Sequence, residues 1–252
     1  MSNQDFQKTT KRYKSYAKTA TDSQGASGGI GTLWNKIKWD LISENSTYWW
    51  VRTDFKNKTT KEEFIVFNIY ARNHYRDKAH SWNSINSELQ TCQNRNKILG
   101  GDLNLIRNIE EKIGGKYLVD PSRYALEEII ETHKLIDIPP CNGKFTWSNK
   151  RAGTHNIKER LDRILIHEGI AASFSSIKSK LVHATASDHK PVVLILDRIG
   201  NLNPIPFKYN KAWDSKEDFH KIIKESWDME IFGSPHYVCE SKLKSARSAI
   251  KK

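Results

Sequence analysis

With 252 residues the chain can hold one sizeable domain or one domain with an appendage, and no stretch approaches the roughly 20 apolar residues of a membrane span. Eight tryptophans and 10% aromatic residues exclude a wholly disordered chain, despite a mean hydropathy of −0.68. The net charge of +12 is spread along the chain, which suits a polyanion such as a nucleic acid and equally a merely soluble basic protein. Three scattered cysteines, Cys92, Cys141 and Cys239, form no CxxC spacing and fit a reducing compartment, cytosol or nucleus.

In chain order, residues 1–24 are rich in Lys, Ser and Thr and read as a disordered basic lead-in. Asp5 and Asp22 and the absence of an apolar face argue against an organelle transit peptide there. Residues 25–34 read as a glycine-rich turn entering a strand. Residues 48–55 and 63–70 read as strands joined by the polar turn Asn57-Lys58-Thr59-Thr60, and Phe64-Ile65-Val66-Phe67 has the two-faced apolar character of a central strand. A helix fits 76–94, and residues 97–102 form a short buried strand ending in a Gly-Asp corner. Pro121-Ser122 opens a helix with Leu126, Ile129 and Ile130 on one face. Residues 145–148, 160–166 and 192–196 read as further strands. Strands interleaved with helices, several apolar on both faces, predict an α/β fold built as a two-sheet mixed β-sandwich flanked by helices. After Arg198 comes a linker over 200–206, then polar helical segments around 214–228 and 239–252. The organisation expected is thus a lead-in (1–24), a domain (25–199) and a helical tail (200–252).

Three short stretches sit at the ends of expected strands: Gly-Gly-Asp102-Leu-Asn104, Arg160-Leu-Asp162 and Ser187-Asp188-His189. Phosphodiester cleavage needs a base for water, neutralisation of charge on the phosphate and help for the leaving oxygen. Carboxylates, an amide and an imidazole supply these parts, and hard oxygen ligands suit Mg²⁺. Singly, each stretch has a plainer reading. A Gly-Asp-x-Asn corner caps turns, an Asp in an apolar strand satisfies a buried Arg or His, and a His beside a strand is usually a packed core residue.

Together and in this order, GGDLN, FTWSN, RLDRILI and SDHKPVVL resemble the exonuclease III-like endonuclease domain of LINE-type non-LTR retrotransposons. That domain belongs to the endonuclease/exonuclease/phosphatase superfamily with the apurinic endonucleases and DNase I. GASGGIGTLWN is similar to the family's glycine-rich third strand, FNIYARN to its Asn-x-Tyr-x-Pro strand end, and residues 205–250 to the linker leading toward reverse transcriptase. The resemblance implies a DNase I-like fold, DNA as partner and Mg²⁺, or Mn²⁺, as cofactor. It implies that Asp102 positions or deprotonates water and that Asn104 orients water and phosphate. His189 would stabilise the phosphate, held by Asp162; Asp188 would be a metal ligand and Tyr70 a phosphate contact. Trp147 reads as core or groove packing.

The resemblance also places an asparagine strand and a glutamate metal ligand ahead of the 25–34 segment. Residues 1–24 hold no glutamate, and Arg72 stands where the family usually has proline. The expectation is a domain missing its first strands, with an unpaired sheet edge, weak Mg²⁺ binding and little or no strand nicking: a relic, lacking reverse-transcriptase motifs. The alternatives are a non-catalytic basic DNA-binding fragment and a phosphatase of the same superfamily.

Overall fold

A computed structural model describes residues 3–24, 27–73, 75–117, 119–184, 187–198 and 211–250. The Gly25–Ala26 turn and the 200–206 linker lie outside these residues. The chain divides into two compact units, Met1–Asn201 and Leu202–Lys252. Among the described residues no helix is long and apolar enough to cross a membrane.

The first unit is organised by ten main strands: β1 (Tyr16–Ala20), β2 (Gly31–Asn35), β3 (Trp39–Ser46), β4 (Trp50–Asn57), β5 (Glu63–Tyr70), β6 (Lys97–Asp102), β7 (Leu135–Asp137), β8 (Asp162–His167), β9 (Ser176–Leu181) and β10 (Val192–Asp197). Four helices accompany them: α1 (Asn3–Thr9), α2 (Tyr75–Gln90), α3 (Ser122–Thr132) and α4 (Glu168–Ser173). Six strands form a mixed sheet in the order β7-β8-β6-β5-β4-β3, in which β5 and β6 are parallel and all other pairs antiparallel.

Alternation along β5 sends Ile65, Phe67 and Ile69 into one buried cluster and Phe64 into another, as its two-faced apolar pattern predicts. The first cluster lies under the helices. Trp82, Ile85 and Leu89 recur at helical spacing on α2 and meet Leu126 and Ile129 of α3. The other face is covered by β9 and β10, through Ile177, Val192, Leu194 and Leu196, and by α4 through Ile170.

This second layer is made of separate pairs, β1–β2 and β9–β10. Among the described residues, β2 and β10 each pair a strand on one side only, matching the expected unpaired edge. Between them lie cavities of about 620 and 420 Å³, both lined by Thr32 of β2 and by residues of β10, with Phe64, Val66 and Ile98 of the main sheet as part of the floor.

Several elements depart from the sequence reading. The lead-in expected to be disordered carries α1 and β1. One well-seated apolar group anchors it: Phe6 is buried against Gly31, where any Cβ would strike its ring, and Lys18 Nζ donates to Gln7 O (3.0 Å) and Thr10 Oγ1 (2.8 Å), while Tyr13 and Tyr16 stay exposed. Strands β3 and β9 were not anticipated. Much of β3 is exposed at the sheet edge, so it shows no apolar pattern to read.

The second unit contains a 3₁₀ turn, Lys211–Ser215, and two helices, α5 (Glu217–Asp228) and α6 (Pro235–Ile250). The rings of Trp213 and Phe219 lie 5.8 Å apart, tying the turn to α5, and Lys242 Nζ of α6 donates to Trp227 O of α5.

Candidate active site

Sheet register brings the three motif stretches to one end of the main sheet. Tyr70 is the parallel partner of Asp102, and Asp162 its antiparallel partner. Gly101 adopts φ +141°, and a Cβ there would run into the Ile69 carbonyl, so the corner before Asp102 requires glycine. Beyond it Asn104 is left-handed (φ +47°). Its N–H donates to Asp102 Oδ1 (2.9 Å), and its Nδ2 donates to Asp102 Oδ2 (3.1 Å) and Ala71 O (2.7 Å). That leaves the Asn104 amide oxygen for a ligand.

His189 Nδ1 lies 2.9 Å from Asp162 Oδ2, so Nδ1 carries the proton and donates it, while Nε2 turns toward Asp102 Oδ2 at 3.9 Å. Two residues that the sequence did not single out fix this arrangement. The fully buried Thr146 hydroxyl accepts from the N–H groups of Leu161 (3.0 Å) and Asp162 (2.9 Å), anchoring the start of β8. The buried Lys78 donates to Asn104 O (2.8 Å) and pairs with Asp120, anchoring the Asp102–Asn104 corner from α2. Neither carries a sequence signal: a Thr in FTWSN and a Lys on a helix are ordinary until the chain folds over them.

The charges are uneven. Burial pushes the Asp102 carboxyl above its ordinary value and the nearby Asp162 adds to this, outweighing the Asn104 N–H, His189 and Lys78. The hydrogen bond that His189 donates to Asp162 holds its imidazole above the ordinary value, and the charges of Asp162, Asp102 and Asp188 act the same way. The imidazole is thereby biased toward its cationic form between two carboxylates.

Of the six residues expected, Asp102, Asn104, Asp162 and His189 converge in direct contact or close to it. Tyr70 stands beside Asp102 by register, and its hydroxyl makes no hydrogen bond among the described residues. Asp188 does not join them. Its exposed carboxylate accepts from Trp147 Nε1 (2.9 Å), which holds it below the ordinary range. Trp147, expected to be packing, is thus a polar partner of the site loop; it also forms a β-bridge with His189. Asp102, Asp162 and His189 are the one group of three possible ligands among the described residues whose donor atoms all lie within 4.8 Å of one another. Two carboxylates and the Asn104 oxygen are hard donors of the kind Mg²⁺ accepts, although Asp162 is engaged by His189 and Asp102 by Asn104.

No family model matches the chain, and no curated protein matches it. Solved structures do. The endonuclease domain of TRAS1, a telomere-specific non-LTR retrotransposon, aligns with a TM-score of 0.56 at 16% identity, over 73% of this chain and 80% of that one. An endonuclease/exonuclease/phosphatase protein from Bacteroides vulgatus aligns with a TM-score of 0.56 at 16% identity, over 78% and 82%. One from Bacteroides thetaiotaomicron aligns with 0.53 at 18% identity, over 76% and 78%. The chain has the endonuclease/exonuclease/phosphatase, or DNase I-like, fold.

Proposed function

We propose that this site hydrolyses phosphodiester bonds in DNA with a divalent cation, Mg²⁺ or Mn²⁺, nicking strands as a retrotransposon-type endonuclease does, and that in this chain it does so weakly. The observation that carries the reading is the His189–Asp162 hydrogen bond, 2.9 Å, set beside Asp102 at 3.9 Å. With Nδ1 donated to Asp162, an imidazolium Nε2–H is free to donate to a phosphate oxygen and offset its developing charge. Asp102, its carboxyl raised by burial, is a stronger proton acceptor than an exposed aspartate and can take a proton from water. Asn104 orients that water or the phosphate, and Tyr70 touches the phosphate. A divalent cation would be held by Asp102 and the Asn104 amide oxygen, and by Asp188 once its carboxylate leaves the Trp147 indole; it would supply charge neutralisation at the phosphate. The basic chain, at +12, favours DNA over a small substrate, and a nuclear or cytosolic setting belongs to the same proposal.

Low activity follows from a donor set whose carboxylates are already engaged by protein groups. The test is plasmid nicking in millimolar Mg²⁺ or Mn²⁺ against chelator. Slow metal-dependent nicking that disappears in Asp102→Ala is the expected result; vigorous nicking would refute the weakness, and metal-independent nicking the mechanism. The second reading, a basic DNA-binding protein without catalysis, is favoured by those same engaged carboxylates. Salt-dependent DNA binding with no nicking in either metal would select it.

A further inference from the structure

Strand β6 carries Asp102 at one end and Lys97 at the other, about 17 Å away at the usual rise per residue. Around Lys97 lies a second cavity, of about 100 Å³, lined also by Thr132, His133, Lys134 and His167 and by no acidic residue. Lys97 is only 1% exposed, yet its ammonium makes no hydrogen bond or ion pair among the described residues. The neighbours acting on it are Cys92, a buried thiol kept uncharged by its own raised value, and Arg52, a cation already bonded to Asp54 and Glu88. Burial is the largest influence on Lys97 and pushes its ammonium below the ordinary value, so the charged form is disfavoured as it stands and an anion in the pocket would stabilise it.

The two imidazoles are arranged to meet one. His167 Nδ1 accepts the Gly169 N–H (3.1 Å) at the start of α4, which puts the ring proton on Nε2 and makes that atom a donor. His133 Nε2 is paired with Asn86 Oδ1 (2.7 Å), while its Nδ1 is buried with no partner. Burial first and the Lys97 charge next push both imidazoles below their ordinary value, with Glu168 opposing the shift at His167. Lys134 stands at the rim, paired with Glu168 at 3.2 Å, and Glu168 does not line the cavity.

The geometry points to a binding site for one tetrahedral oxyanion of the phosphate class, gripped by Lys97 Nζ and His167 Nε2, with the His133 ring in the wall of the same cavity. The volume is that of about three waters, enough for one such ion and too small for a nucleotide. The site is separate from the candidate active site and does not depend on the proposed hydrolysis.

The test is a titration of the full chain with inorganic phosphate in chelator, following the imidazole signals of His133, His167 and His189 by NMR. Saturable shifts at His133 and His167 are expected, retained in His189→Ala and weakened about tenfold or more in Lys97→Met. Should Lys97→Met fail to fold, the unmodified chain still decides, since phosphate must move His133 and His167 whatever happens at His189. No saturable shift at those two, or a shift equal in Lys97→Met, would overturn the site. A short 5′-phosphorylated oligonucleotide and its unphosphorylated twin separate the sources. If only inorganic phosphate acts, the ligand is the free ion. If the phosphorylated strand also acts and its twin does not, the site takes a terminal phosphate.

Discussion

Glu111, in the 3₁₀ turn Ile109–Glu111, and Asp137, at the end of β7, lie beneath three arginines, whereas Asp102 and Asp162 on neighbouring strands share a single imidazole. Arg163, with a fully buried side chain, reaches Glu111 (2.9 Å) and Asp137 (2.8 Å); Arg160 reaches the same two at 3.0 Å, and Arg107 adds a contact to Asp137. Burial alone would raise both carboxyls, but the guanidinium hydrogen bonds and charges bring them below their ordinary range. At Asp102 burial is the larger influence and the carboxyl ends above it. Asp137 and Asp102, two half-buried aspartates, are thus separated by the sign of one balance. Where guanidinium compensates the charge, the cluster holds the fold; where compensation is left to a titratable ring, the cluster is ready for chemistry.

The largest effect should come from breaking the compensated cluster. Arg163→Met leaves Glu111 and Asp137 short of a buried partner and should cost about 3–5 kcal/mol, read as a large drop in Tm. An unchanged Tm would erase the contrast. At the poised cluster, Asp102→Ala or His189→Ala should reduce whatever metal-dependent nicking the chain has by a factor of about 10² or more, with little change in Tm.

Smaller effects concern pH. Glu111 and Asp137 have lowered folded values, so their stabilisation is present above the ordinary carboxylate range and is lost as pH falls through the folded values. Asp102 has the opposite sign: its ionisation opposes folding once pH rises above the ordinary value. Asp102→Asn should therefore be slightly more stable than the parent at neutral pH, by about 1 kcal/mol or less, and the gain should vanish in acid. The smallest effect is expected from Asp162→Asn. The parent's His189 contribution is fully present below the ordinary imidazole value and is lost as pH rises through its raised folded value. Removing Asp162 lowers that value, so the alkaline limb of any activity profile should move to lower pH; an unmoved limb would deny the pair its role.

How much of this was legible follows from what each residue depends on. The corner at Gly101–Asp102, the strand through Phe64–Phe67 and the helix opened at Pro121 carry their own local reasons, and they stand where the sequence put them. The meeting of Asp102, Asp162 and His189 was readable from the order of motifs at strand ends. Asp188 was not, because the Trp147 indole that holds it comes from the short strand Trp147–Ser148, 41 residues earlier. Thr146 and Lys78 were invisible for the same reason. Residues 1–24 were misread because composition counts apolar groups and cannot see that one phenylalanine, Phe6, has a glycine-sized seat at Gly31.

The inner edges of β2 and β10 carry a consequence for how the protein behaves in a tube. Outer strands β1 and β9 bear Lys18, Lys178 and Lys180, charges that discourage a neighbouring chain from docking. β2 has no charged residue and β10 only Asp197, so these edges have almost no such guard. What keeps two molecules apart is then mainly the repulsion of a net +12 charge, which reaches only about 10 Å at 0.1 M salt. Added salt removes that repulsion, so concentrated, high-salt material should self-associate through its sheet edges sooner than dilute, low-salt material.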